Sequence, residues 1–230
     1  MRRTPAEVAI RDELLRGPLD ALCDRRGDPC WEGVLYAPQI PSEPSDAEVA
    51  AAIASRRCGV TDPERVRVTL RRWRLDSEGL LIRITAFTQP TLASWADAPF
   101  ELDGERYGSL EGFYHALKLA EGDPRRREIA GATGPRATVL GRARRLHAAS
   151  FVYRGQAIAV GSLAHEHLIA RAALARVDAH RPLREALRAT GAARLMIRDY
   201  AGPLGQVAPF ALMLARLRLA QGGWLLPLRT

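Results

Sequence analysis

Apolar and polar positions follow two different periods along this chain, and the switch between them predicts the order of its elements. In the first third, residues 4–17 carry apolar side chains at helical spacing, 31–36 reads as a short strand, and 38–44, rich in proline and serine, reads as a loop. Ser45 and Glu48 precede an alanine-rich stretch with the spacing of a capping box, so a helix is expected from there to about Cys58-Gly59. Val66, Val68 and Leu70 then alternate with arginines over 65–75, and Asp76-Ser-Glu-Gly79 turns that run into 80–87, the pattern of a β-hairpin. A tighter hairpin follows, because Phe100 and Leu102 on one side and Arg106-Tyr107 on the other flank Asp103-Gly104, a pair suited to a two-residue turn with positive φ. From Ser109 onward the pattern is almost wholly helical, with helices expected near 109–121, 124–131, 135–147, 161–177, 182–189 and 206–220. Few strands among many helices imply an α+β fold, helix-rich around a small β-sheet. Neither an internal repeat nor a low-complexity tract is visible.

The organisation divides into an N-terminal extension, 1–78, expected to pack on the rest, and a main domain over 79–230. At 230 residues and 47% hydrophobic content the chain is long enough to bury a sizeable core. Its most apolar run, 207–219, is interrupted by Arg216 and Arg218, and no long apolar segment follows Arg2-Arg3. A cytoplasmic protein without a membrane span is therefore expected. Cys23, Cys30 and Cys58 are odd in number, form no CxxC and have no histidine at ligand spacing, so they are expected as reduced thiols rather than metal ligands. Trp31 and Trp73 are expected to pack.

Charge adds a partner class and one unusual residue. A formal charge of +8 and a pI near 10.2 favour polyanionic partners. Arg125-Arg126-Arg127 and Arg142, Arg144 and Arg145 are the densest clusters; they suit either phosphate or a solvated face, and with no aromatic-interleaved motif a nucleic-acid role rests on charge alone. Of 34 lysines and arginines, only Lys118 is lysine. Unlike a guanidinium, its amine can lose its proton and form an imine.

Ser109 fits a helix N-cap, with Glu111 in the first turn where the helix dipole favours a carboxylate. Glu111, His115 and Lys118 then follow at i, i+4 and i+7 and share one face, while Phe113, Leu117 and Ala120 point toward a core. A carboxylate, an imidazole and an amine converge on that face. The same spacing also describes a solvated polar stripe with a Glu–His pair worth about 0.2–0.5 kcal/mol.

The segment from Leu92-Ala-Ser-Trp through Pro99-Phe-Glu-Leu-Asp-Gly to Ser109-Leu-Glu-Gly-Phe-Tyr-His-Ala-Leu-Lys118 resembles the signature of the YbiA-like, or NADAR, N-glycosidase family. That signature runs Ser-Asn-Phe, a short gap to Pro-Phe, then Ser-x-Glu-x-Tyr-Tyr-Gln-Ala-x-Lys. Further on, Gly141-Arg142 falls where the family has a Gly-Arg pair, 183–191 is similar to its Leu-Arg-Glu-Ala-Leu stretch, Asp199 matches the aspartate of a late Asp-x-x-Trp-Gly motif, and 212–220 is similar to its closing helix. The resemblance spans roughly 80–221. It departs at Ser94 for asparagine, Trp95 for phenylalanine, His115 for glutamine, and Ala201-Gly202 for Trp-Gly.

The resemblance implies a YbiA/NADAR-like domain and hydrolysis of the C–N bond between a ribose and a nucleobase-like group, with no cofactor and no metal. Glu111, Lys118 and Asp199 become the expected catalytic residues; Ser94, Trp95, His115 and Arg142 the expected substrate contacts. The implied partner is a phosphorylated ribosyl or ADP-ribosyl small molecule, such as ADP-ribosylated guanine or an early riboflavin-pathway intermediate, and by extension ADP-ribosylated nucleic acid. Two routes are open: carboxylates stabilising an oxocarbenium-like transition state and activating water, or Lys118 attacking an opened sugar as a Schiff-base nucleophile. The departures leave a second function open, an ADP-ribose or nucleotide-binding module without catalysis.

Overall fold

The computed structural model describes residues 32–35, 43–77, 79–142, 149–197 and 202–222, with 5, 8, 9, 12, 19 and 22 as isolated positions; the side chains of 32, 33, 75–77 and 142 fall outside the description. Most of the helix expected over 4–17, the 38–44 loop up to 42, Cys23, Cys30 and Trp31 lie outside the described residues.

The run expected as a strand at 31–36 is instead a single helical turn, α1 (Glu32–Leu35), whose Val34 and Leu35 are buried. With no strand beside it among the described residues, a helical turn satisfies its backbone locally. The capping box forms as expected: Ser45 N–H donates to Glu48 Oε2 at 2.7 Å and Glu48 N–H to Ser45 Oγ at 3.3 Å, opening α2 (Asp46–Ala54).

The stretch 65–75, expected as the first strand of a hairpin, is part of a helix, α3 (Pro63–Ser77). Its start is marked by Pro63 and by Asp62, whose carboxylate accepts from Arg65 N–H at 2.9 Å. Alternation of Val66, Val68 and Leu70 misleads because 66 and 70 also lie one helical turn apart. Val66 is wholly buried, whereas Val68 is 66% exposed. Val66 joins Val49 and Ala52 in a small core, with Ile53, Cys58, Val60 and Leu70 packed around it. Arg67 to Asp46 at 2.6 Å, Arg71 to Glu43 at 3.1 Å and an Arg74–Glu48 pair tie α3 to α2 and its approach. Trp73 is half-buried beneath the Arg57 guanidinium, 5.2 Å from its ring centre.

Beyond this pair come β1 (Leu81–Ile84), the hairpin β2 (Phe100–Leu102) and β3 (Glu105–Tyr107), α4 (Leu110–Ala116), α5 (Pro124–Ala130), α6 (Gly134–Arg142), the hairpin β4 (Ser150–Tyr153) and β5 (Gln156–Ala159), α7 (Leu163–Ala179), α8 (Arg181–Ala189), β6 (Arg194–Ile197) and α9 (Pro203–Ala220). The fold is α+β. The β4–β5 hairpin and β6 fall in the gaps between the helices expected at 135–147 and 161–177 and at 182–189 and 206–220, where no strand is expected. Arg154 and Gly155 take φ of 52° and 74° at the β4–β5 turn, although Arg-Gly lacks the local signature of Asn-Gly or Asp-Gly. The β2–β3 turn uses the expected Asp103-Gly104, at φ of 52° and 84°. Rather than closing a hairpin with 65–75, β1 pairs in parallel with β6, Leu81 opposite Arg194 and Ile84 opposite Ile197. Local pattern is silent on a partner more than a hundred residues away.

The main core gathers around α7 and α9, with α9 also covering β6 and α8. Leu19, Leu22, Val34 and Leu35 belong to the same buried cluster. Arg216, which interrupts the apolar run of α9, is buried and donates to Leu35 O at 2.9 Å and to Thr190 Oγ1 at 2.7 Å; burial brings its pKa down to about 10. No helix among the described residues is long and apolar enough to cross a membrane.

The helical form of 63–77 is checked by two substitutions. Val66→Ala is expected to cost about 2 kcal/mol in urea unfolding and Val68→Ala less than about 0.5 kcal/mol; equal losses would contradict the helix.

Candidate functional site

The site begins where β1 ends. Thr88 Oγ1 donates to Arg83 O and accepts from Thr85 N–H at 3.3 Å, while Thr85 Oγ1, 2.9 Å from Thr88 Oγ1, accepts from the N–H groups of Phe87 and Thr88 at 3.2 and 3.1 Å. These bonds hold a tight turn at 85–88. The chain then runs without regular secondary structure to β2, and its middle is gripped from α7. Arg176, fully buried, donates to Ala93 O at 2.8 Å, Thr91 O at 3.1 Å and Leu92 O at 3.5 Å. Burial lowers its pKa to about 10, which still leaves it a cation at neutral pH.

Ser94, next in the chain, meets α4. Ser109 caps that helix as expected, its hydroxyl accepting from Gly112 N–H at 2.9 Å and donating to Ala132 O at 2.7 Å. Glu111 N–H donates to Ser94 O at 2.9 Å, and the Ser94 hydroxyl donates to Glu111 Oε2 at 3.2 Å. Thr138 of α6 donates to Glu111 Oε1 at 2.7 Å, and His115 Nε2 stands 3.5 Å from that same oxygen. Glu111 is 2% and His115 4% exposed, so the solvated-stripe alternative does not hold. Gly141 explains how α6 comes so close: a Cβ there would stand 1.8 Å from His115 Cδ2, so only glycine admits the imidazole.

Ser94, Trp95, Glu111, His115 and Thr138 line one cleft of about 200 Å³ with Ala93, Ile84, Thr85, Ala86 and Ile197. Ile84 and Ile197 are the last residues of the parallel strands β1 and β6. The opening thus lies at the carboxyl ends of parallel strands, a common place for ligands in α/β sheets. Within it, a carboxylate fixed by two hydroxyls and removed from bulk water offers a preorganised negative charge.

Lys118 does not line this cleft. α4 ends at Ala116, and the next turn tightens through Lys118 N–H to His115 O at 3.2 Å and Leu119 N–H to Ala116 O at 3.1 Å. The same early end leaves Ala120, expected in the core, exposed. Lys118 Nζ instead donates to Gly141 O at 3.3 Å and stands 5.6 Å from the centre of the Tyr114 ring. Burial pushes its pKa below the usual value, partly countered by the charge of Glu111. Arg142 follows Gly141 at the end of α6, its side chain outside the described residues, as are Asp199, Ala201, Arg144 and Arg145. Gly202 lies against Tyr114, where a Cβ would stand 3.3 Å from the hydroxyl. In the other basic cluster, Arg125 pairs with Asp123, and buried Arg126 donates to Leu119 O at 3.2 Å and Val152 O at 3.1 Å. No group of three metal-ligating side chains occurs among the described residues.

Two site residues are absent from the sequence expectations, Thr138 and Arg176. Thr138 sits one turn before Gly141 in a helix whose register alone faces it toward Glu111. Arg176 looks like one more arginine on a helix.

No family model matches this sequence, and no curated protein does. Among solved structures, the chain is similar to the NMR structure of the Escherichia coli protein YbiA, at 22% sequence identity and a TM-score of 0.44, covering 63% of this chain and 87% of that one.

Two measurements test this geometry. Because Lys118 is the sole lysine, pH-dependent acylation followed by peptide mass spectrometry reads it directly, and a reactivity midpoint below the ordinary lysine value of 10.5 is expected; a midpoint at or above it would contradict the buried amine. Arg176→Met strands the carbonyls of 91–93 and is expected to cost about 3 kcal/mol or more in urea unfolding, against under about 0.5 kcal/mol for an exposed arginine such as Arg127.

Proposed function

We propose that the cleft hydrolyses a C–N glycosidic bond between a phosphorylated or ADP-linked ribose and a nucleobase-like group. The observation that carries this is Glu111, a buried carboxylate on the cleft wall, held by Ser94 and Thr138 and flanked by His115. The Ser-x-Glu motif and its resemblance to the N-glycosidase signature supply the bond type. As the bond to the base lengthens, positive charge grows at the anomeric carbon, and a fixed anion stabilises it more than water would. Water adds to that carbon, the bonding electrons leave with the base nitrogen, and the proton released by water goes to Glu111. His115, beside the carboxylate, is placed to carry a proton toward the leaving nitrogen.

The water route uses residues that line the cleft. The imine route requires Lys118 to leave the Gly141 carbonyl, and borohydride trapping of an enzyme–sugar adduct would identify it. Asp199 in a second carboxylate role, Arg142 as a phosphate ligand, and ADP-ribosylated guanine, ribosylaminopyrimidine phosphates and ADP-ribosylated nucleic acid as substrates follow from the resemblance. Ser94, where the signature has asparagine, favours a second reading, a nucleotide or ADP-ribose binder that no longer turns over.

Incubation of the protein with ADP-ribosylated guanine and a ribosylaminopyrimidine phosphate, with chromatographic detection of free base, tests both. Release by the wild type and a loss of at least about 100-fold in Glu111→Gln are expected. Undiminished release by the variant would remove Glu111 from the chemistry; tight binding with no release from either compound would favour the binding module.

A further inference from the structure

The chain has five phenylalanines, and Phe100, Phe113, Phe151 and Phe210 are all buried. Phe87 is 94% exposed. It directly follows Thr85 and Ala86, both of which line the cleft. Its backbone is not a loose tip. The Thr85 and Thr88 hydroxyls bind the turn on both sides of Phe87, Gln89 N–H donates to Thr85 O at 3.1 Å, and Leu92 and Ala93 N–H donate to Gln89 O at 3.1 and 3.0 Å. Arg176 then fixes 91–93. The segment between β1 and Ser94 is therefore held at both ends, with a single large apolar ring presented to water between them.

Exposing a phenylalanine forfeits most of the gain its burial would bring, and a backbone this well tied keeps the ring at one place. Trp95, half-buried, lines the same cleft as Thr85 and Ala86. The remainder of the lining is aliphatic, hydroxyl or carboxylate, with the buried imidazole of His115.

We propose that Phe87 is the outer aromatic wall of this site and selects ligands whose ribose carries a planar base, by turning about its side-chain torsions onto the face of that base. This rests on the cleft being the ligand site of the proposed function and adds the determinant of its specificity. A flat heteroaromatic ring fits the rim because its face is apolar and polarisable, whereas a sugar phosphate alone gains nothing from a phenyl ring. Stacking is tolerant of base identity, so purines and other planar bases share the dependence.

Calorimetric titration of wild type, Phe87→Ala and Phe87→Trp with AMP, GMP and ribose 5-phosphate tests this, alongside the base-release assay and a thermal melt of each variant. Phe87→Ala is expected to melt like the wild type, to lose about tenfold in affinity for both nucleotides and none for ribose 5-phosphate, and Phe87→Trp to restore nucleotide affinity. Equal affinities of wild type and Phe87→Ala for AMP and GMP, or an equal loss for ribose 5-phosphate, would overturn the role of Phe87. Base release with an unchanged KM in Phe87→Ala would do the same while leaving the proposed function intact. Phe87-dependent nucleotide binding without base release by the wild type would support the ring and overturn hydrolysis. Failure of the wild type to bind any of the three probes would overturn both.

Discussion

A buried guanidinium holding three backbone carbonyls is the constraint on which this site depends. Residues 85–99 cross the molecule between two strands without a ladder of their own, so their polar backbone groups need partners supplied from elsewhere. Arg176 supplies them for 91–93. Burying a cation is costly, and carbonyl dipoles offset that cost only if several converge with good geometry. Arginine suits the task because its planar fork presents several donors in fixed directions, whereas a lysine ammonium would present fewer and with more freedom. Ser94 follows immediately, and from it come both a backbone acceptor and a hydroxyl for Glu111.

The opposite side of the site is set by packing. Phe113 of α4 meets Tyr107 edge to face at 4.9 Å between ring centres and Tyr153 at 6.5 Å, so one helix is wedged against both hairpins. The hairpins are linked in turn: Tyr153 donates to Asp103 at 3.1 Å and Arg171 binds the same carboxylate through both nitrogens, at 2.5 and 3.1 Å. Burial alone would push Asp103 up, but the Arg171 and Tyr153 donors outweigh it and hold the carboxyl below its ordinary range. With α4 fixed on its apolar side, Glu111 and His115 on the other side can be buried as polar groups, because α6 brings Thr138 and the bare backbone of Gly141 against them.

Legibility in the sequence tracked how local each interaction is. The Ser45–Glu48 box, the Ser109 cap and the Asp103-Gly104 turn each close within four residues, and all three formed as read. Val66-Arg-Val-Thr-Leu70 failed because five residues fit a period of two as well as a helix with one exposed valine, and the decision came from Asp62-Pro63 and the charges on α2. The β4–β5 hairpin turns on Arg-Gly, a weak turn signal, and β6 is four residues between helices, so neither stands out as a strand in the gaps between the expected helices. Glu111 and His115 were legible as one face because they lie one turn apart inside α4. Lys118 was extrapolated along a helix that stops two residues earlier.

Residue order therefore settles the α+β class, the caps and turns, and a helix that sets Glu111 and His115 side by side, since these follow from backbone sterics and short-range hydrogen bonds. It is silent on the parallel pairing of β1 with β6, on the reach of Arg176 across more than eighty residues to 91–93, and on the contact of Thr138 with a carboxylate twenty-seven residues away. Those contacts leave no periodic trace, because each depends on where whole elements come to rest. Burial turned a stripe that could equally have been solvated into a carboxylate facing a cleft, and packing alone determines which side chains share that enclosure.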